Sequence, residues 1–115
     1  MSLQIKSLKQ GTLATSEGDL YVVPVNKAAI VKTIRLINTG SSSVTVNLFV
    51  RRGSGGTSYR IAPKDLSLPG GGAFIDDSEL TLEGLTATGD SDRVRGIVSS
   101  SGTVDCVISG VERDV

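Results

Sequence analysis

Between residues 29 and 50 the chain reads AIVKTIRLINTGSSSVTVNLFV, two apolar, β-branched runs around a soft polar centre. In the first run Ile30, Ile34 and Leu36 fall on one face of an extended strand with Lys32 among them, and Val31, Thr33, Arg35 and Ile37 fall on the other. Neither face is purely apolar, the signature of a strand with one side in a core and the other partly covered by a neighbouring element or subunit. The second run is cleaner, with Val44, Val46, Leu48 and Val50 on one face and Thr45, Asn47, Phe49 and Arg51 on the other. The intervening NTGSSS is turn chemistry: Gly40 accommodates φ > 0 and the Asn38 side chain can bond nearby backbone. The pair predicts an antiparallel hairpin at the centre of a sheet.

Alternation with period two dominates the remainder, and no segment sustains the i, i+3, i+4, i+7 spacing of an amphipathic helix. LQIKSLKQ places Leu3 and Ile5 on one face. LYVVPV follows the SEGD turn and must end, or lie at an edge, at Pro24, which has no N–H for a ladder. RRGSGGTSY is a flexible loop tip by composition. TSYRIAP and GAFIDD predict short strands around KDLSLPGGG, where Pro69 and three successive glycines impose a tight turn. LTLEGLTATGDSD gives a brief strand and a turn. RVRGIVSS and TVDCVISGVE predict a last hairpin, with Val104, Cys106 and Ile108 on one face. About eight strands at roughly 8–12-residue spacing predict an all-β fold, a single two-layer antiparallel β-sandwich over residues 1–115 with jelly-roll or immunoglobulin-like connections.

Composition narrows the chemistry. The 115 residues carry 12 basic and 12 acidic side chains, so no net field draws the chain to nucleic acid or an anionic membrane. Only two Tyr, two Phe and no Trp are present, which argues against stacking platforms for sugars or single-stranded bases. With no histidine, Ser-His-Asp and Cys-His sites are excluded, and the single cysteine, Cys106, removes thiolate-rich zinc sites and internal disulfides. Cys106 sits among strand formers, where a thiol serves as a small buried hydrophobe. The acids Asp76, Asp77 and Glu79 in IDDSE, and Asp90 and Asp92 in GDSD, lack the spaced ligand pattern of a dedicated calcium loop and fit turn chemistry. GSGG and PGGG lack the trailing Lys-Ser/Thr and helix of a phosphate cradle. No catalytic, cofactor-binding or metal-binding residue is assigned, and no apolar run reaches the length of a membrane helix. The candidate site is an interface: Val31, Thr33, Arg35 and Ile37 on the mixed face of the first strand, Phe49, Arg51 and Arg52 at the end of the second, and Arg93 and Arg95, arginine being enriched where proteins meet.

The succession LYVVPVNKAAIVKTIRLINTGSSSVTVNLFV, then RIAPKDLSLPGGGAFIDDSELTLEGLTATGD, then VDCVISGVE resembles a recurring small β-sandwich module of tailed bacteriophages and prophages, from Leu20 to Glu112. In that module an LY.VP strand precedes an AIVK.I.L.NT strand and a VTV.L.V strand, and the pattern closes on ISGVE. The RRGSGGTSY loop and GDSDRVRG are more hydrophilic than the pattern. The resemblance implies a non-enzymatic virion part without cofactors, assembled in the host cytoplasm. Its roles would be a capsid decoration or cement protein bridging coat subunits, a tail, neck or head-fibre component, or a glycan-binding module of a tail appendage. The implied partners are the major capsid protein or other virion proteins, and copies of itself in a trimer or other ring.

Overall fold

The computed structural model describes residues 3–53, 56–84, 91–100 and 103–114, with side chains from residue 7 onward. Among the described residues ten strands succeed one another: β1 (Leu3–Thr12), β2 (Gly18–Val22), β3 (Lys27–Asn38), β4 (Val44–Arg52), β5 (Ser58–Arg60), β6 (Leu66–Leu68), β7 (Ala73–Asp76), β8 (Leu80–Glu83), β9 (Asp92–Val98) and β10 (Val104–Asp114). Sheet A has the order β1-β10-β3, with β8 paired to Ala28–Val31 and β7 to Ile34–Ile37 along one edge of β3. Sheet B has the order β2-β9-β4, with β6 paired to Val44–Val46 and β5 to Phe49–Arg51 along one edge of β4. All pairings are antiparallel. Taking β5 with β6, and β7 with β8, as single broken strands leaves eight positions in two four-wide sheets. That order is a jelly roll rather than an immunoglobulin-like sandwich. The expected strand count differs mainly because β6 forms inside KDLSLPGGG, which sequence alone marked as connection.

Two predicted hairpins are corrected. β3 lies in sheet A and β4 in sheet B, and β9 and β10 are divided the same way. Each of these strands has one strongly apolar face, and burying two such faces against each other needs the strands stacked across the core rather than side by side. The polar link NTGSSS is therefore an arch between sheets. Asn38 pins this arch. Fully buried, it donates from Nδ2 to the carbonyls of Ser42 (2.8 Å) and Leu68 (2.9 Å), and its Oδ1 accepts from the Gly40 N–H (2.9 Å). Gly40 thus closes an Asx turn without a positive φ, whereas Gly71 does adopt φ 74° where the Gly72 N–H bonds the Pro69 carbonyl.

The core is filled from both sheets by Val31, Ile34, Leu36, Val104, Cys106 and Ile108 on one side and Val46, Leu48, Val94 and Val98 on the other. β3 changes phase within its length. Thr33 pairs with Ser109 and Val31 with Gly110, so Lys32 is the extra residue of a β-bulge. Ala29 and Val31 face inward before the bulge and Ile34 and Leu36 after it, which turns Ile30 outward, the reverse of the simple alternation. Gly110 makes the bulge possible: a Cβ there would lie 2.1 Å from the Ile30 carbonyl oxygen. Bulges also interrupt β1 at Leu8 and β2 at Leu20. The side chains of Leu3 and Ile5, and the predicted turn at 85–90, lie outside the described residues.

Candidate docking surface

The predicted interface residues separate onto two opposite surfaces. Thr33, Arg35 and Ile37 point outward from sheet A, but Val31, 1 % exposed, belongs to the core because the bulge reverses its phase. Its outward place is taken by Ile30. Phe49, Arg51, Arg93 and Arg95 come together on sheet B, where Phe49 pairs with Arg95 and Arg51 with Arg93, and Arg52 sits at the strand end beside Asp92.

Sheet B carries a lattice of internally matched charge. Arg95 Nη1 lies 3.0 Å from Glu17, and its Nε is 3.0 Å from Asp19 Oδ1 but out of line for a hydrogen bond, so that contact is Coulombic. Arg93, only 6 % exposed, donates to Asp19 (3.1 Å) and to the Ser91 carbonyl (3.3 Å). Arg51 donates to the Gly56 carbonyl at 2.8 Å, and the Arg60 guanidinium lies 4.9 Å from the Phe49 ring centre while bonding Asn47. Arg52 bonds Asp92 at 2.9 Å, an arrangement that holds the guanidinium above its ordinary pKa, and the same carboxylate accepts the Glu83 N–H (3.0 Å). Arg51, Arg52, Arg93 and Arg95, four of the arginines in the predicted interface, thus already have partners within the chain.

Sheet A presents the opposite character. Three of the four large hydrophobic side chains that stay exposed among the described residues, Ile30 (36 %), Val107 (37 %) and Ile75 (54 %), lie on its outer face, while Tyr59 lies on β5. Register sets Arg35 opposite both Val107 and Ile75, and Ile37 opposite both Asp105 and Ala73. Further along, Val111 pairs with Ile30 beside a shallow hollow of about 300 Å³ walled by Ala28, Thr81 and Arg113. Neither Arg35 nor Asp105 has an ion-pair partner among the described residues. The outer face of sheet A thus interleaves exposed apolar side chains with two charges that have no ion-pair partner among the described residues.

The acidic clusters are otherwise engaged. Asp76 accepts the Ser78 N–H at 2.9 Å, Glu79 pairs with Lys32, and Asp92 holds Arg52, while Asp90 lies outside the described residues. Among the described residues no group of three or more acidic or cysteine side chains is arranged to hold a metal ion. Cys106 is buried, and desolvation pushes its thiol up to about 11. Sequence reasoning missed one polar contact in the interior: the Tyr21 hydroxyl of β2 donates to the Glu112 carboxylate of β10, joining the two sheets through the core. Burial, reinforced by that bond, holds the Tyr21 hydroxyl far above its ordinary pKa. The partners are separated by 91 positions, and no local pattern announces such a link.

No protein-family model and no curated protein matches the chain. Among solved structures it is similar to a chain in the structure of infectious bursal disease virus, Gx strain, with TM-score 0.52 and 12% identity over 96% of this chain and 32% of that one. It is also similar to the VP2 subviral particle of the same virus, with TM-score 0.52 and 13% identity over 96% of this chain and 32% of the other. A third similar structure is the Drosophila NLP-core, described with regard to pentamer formation and histone binding, with TM-score 0.51, 17% identity and 95% and 100% coverage. Identities this low establish a shared fold. The chain spans about a third of the length of the bursal disease virus chains it matches.

Proposed function

We propose that the chain is a non-enzymatic structural protein of a bacteriophage virion, a capsid decoration or cement protein that binds and bridges coat subunits. The observation that carries this reading is the outer face of sheet A, where Ile30, Ile75 and Val107 stay exposed beside the half-buried Ile37 on a two-layer scaffold. Two further facts support it: the jelly-roll fold is shared with chains of viral particles, and the phage-module pattern runs through β2–β4 and β10. The mechanism is mechanical. A virion offers many identical sites, so modest contacts at each are multiplied by avidity when one small module touches two neighbours. A ring or other closed homo-oligomer suits the same use, since symmetric particles present symmetric sites.

Purifying particles from cells that make a tagged copy tests the proposal. The protein should be present at a fixed copy number, visible as added density on the head in electron micrographs, and heads lacking it should release DNA at lower temperature. Its absence from purified particles would refute a virion role, and its presence only on tails would refute decoration.

A further inference from the structure

We infer that the neighbour seated on the outer face of sheet A is a second copy of this chain, docked about a two-fold axis with reciprocal Arg35–Asp105 pairs. The inference rests on the reading of that face as a contact surface and names what covers it. Its core is a quartet on the central strands β3 and β10: Arg35 opposite Val107, and Ile37 opposite Asp105. The two charges occupy one diagonal of this quartet and the two apolar side chains the other. Diagonal cross-strand neighbours sit roughly 7–8 Å apart, farther than directly opposed pairs. Both charged side chains are exposed, and neither is ion-paired within the described residues.

This diagonal arrangement is self-complementary. Place a two-fold axis between two stacked sheets, over the midpoint of the quartet and across its charged diagonal. Arg35 of one copy then faces Asp105 of the other, and the symmetry operation repeats the pair in the opposite sense. Val107 and Ile37 fall close to the axis and meet their counterparts, with Ile75 flanking them. Face-to-face sheets stand about 10 Å apart, which leaves room for these side chains to interdigitate. Sheet B could not serve in the same way, because its arginines are already matched by Glu17, Asp19 and Asp92.

Sedimentation of the isolated chain over a wide concentration range tests the inference. A dimer is expected, with Arg35→Glu or Asp105→Arg each weakening it at least about 100-fold, since one substitution creates two repulsive pairs and each costs tenfold or more. The double variant Arg35→Glu/Asp105→Arg should restore dimerisation, and Lys64→Glu, on the exposed β5–β6 turn, should leave it unchanged. Circular dichroism melts of the single variants separate loss of pairing from loss of folding. A chain that stays monomeric throughout, or a dimer indifferent to the single reversals or not rescued by the double one, overturns the inference. A dimer with this pattern that fails to accompany particles sustains the inference while refuting the virion reading.

Discussion

Asn38 offers a direct way to weigh the arch between the sheets. Substituting Asn38→Asp preserves shape and the bond from the Gly40 N–H, but replaces the group that donates to Ser42 and Leu68 with an oxygen. Two hydrogen bonds disappear and two carbonyls confront a buried carboxylate. At about 1–3 kcal/mol for each carbonyl left without its donor, a figure that already contains the lost bond, the cost centres near 4 kcal/mol, a large share of the ~5–15 kcal/mol that stabilises a domain. At a urea slope of about 1.5 kcal/mol per M, the unfolding midpoint should fall by about 2–3 M. The loss should also depend on pH. Facing two carbonyls in the interior, the introduced carboxyl has its folded pKa raised above the unfolded value. The stability it contributes is then present below the unfolded pKa and lost as pH rises through the folded one. The deficit against wild type should accordingly be greatest at neutral pH and shrink in mild acid, where a protonated carboxyl regains one donor. A variant within about 1 kcal/mol of wild type, or a deficit equal at both pH values, would refute the account of Asn38 as the pin of the arch.

Other consequences are equally open to measurement. Gly110→Ala sets a methyl against the Ile30 carbonyl oxygen, so thermal melts should show a loss of about 2 kcal/mol or more, whereas Gly71→Ala meets no atom within 4 Å and loses only through its positive φ. The Tyr21 hydroxyl has a raised folded pKa, so its stabilising contribution is complete below the ordinary value of 10.0 and falls away above it; in Tyr59→Phe, phenolate absorbance should develop together with alkaline unfolding, not ahead of it. Cys106 should resist a thiol reagent at neutral pH and react at the rate of global unfolding, while prompt modification of the folded protein would contradict its burial.

The sandwich was legible because its strands alternate cleanly: Val44–Val46–Leu48 and Val104–Cys106–Ile108 face the core as their spacing demands. The division of strands between sheets was not, since a six-residue polar link serves a hairpin or an arch equally well and the choice is settled by how two apolar faces stack. The bulge at Lys32 was hidden for a different reason. AAIV is apolar at four consecutive positions, so alternation has no phase to report there, and Val31 and Ile30 exchange roles unannounced. On the outer face of sheet A, Thr33, Arg35 and Ile37 share one side of β3 as their spacing implied, while Val107 and Ile75 join them only through register. The arginines show the limit of spacing rules. Arg93 and Arg95 have the periodicity of an exposed ladder, yet they are matched by Glu17 and Asp19, more than 70 residues earlier in the chain.

Every border of the two sheets is broken. On one side β5 and β6, and likewise β7 and β8, divide the outermost strand into pieces of three or four residues; on the other, β1 and β2 are each disrupted by an extra residue, at Leu8 and Leu20. A foreign strand arriving at any of these rims finds no long, straight row of amides to zip onto. Such molecules can meet repeatedly at high concentration without seeding fibres, and that tolerance is written into the interruptions themselves.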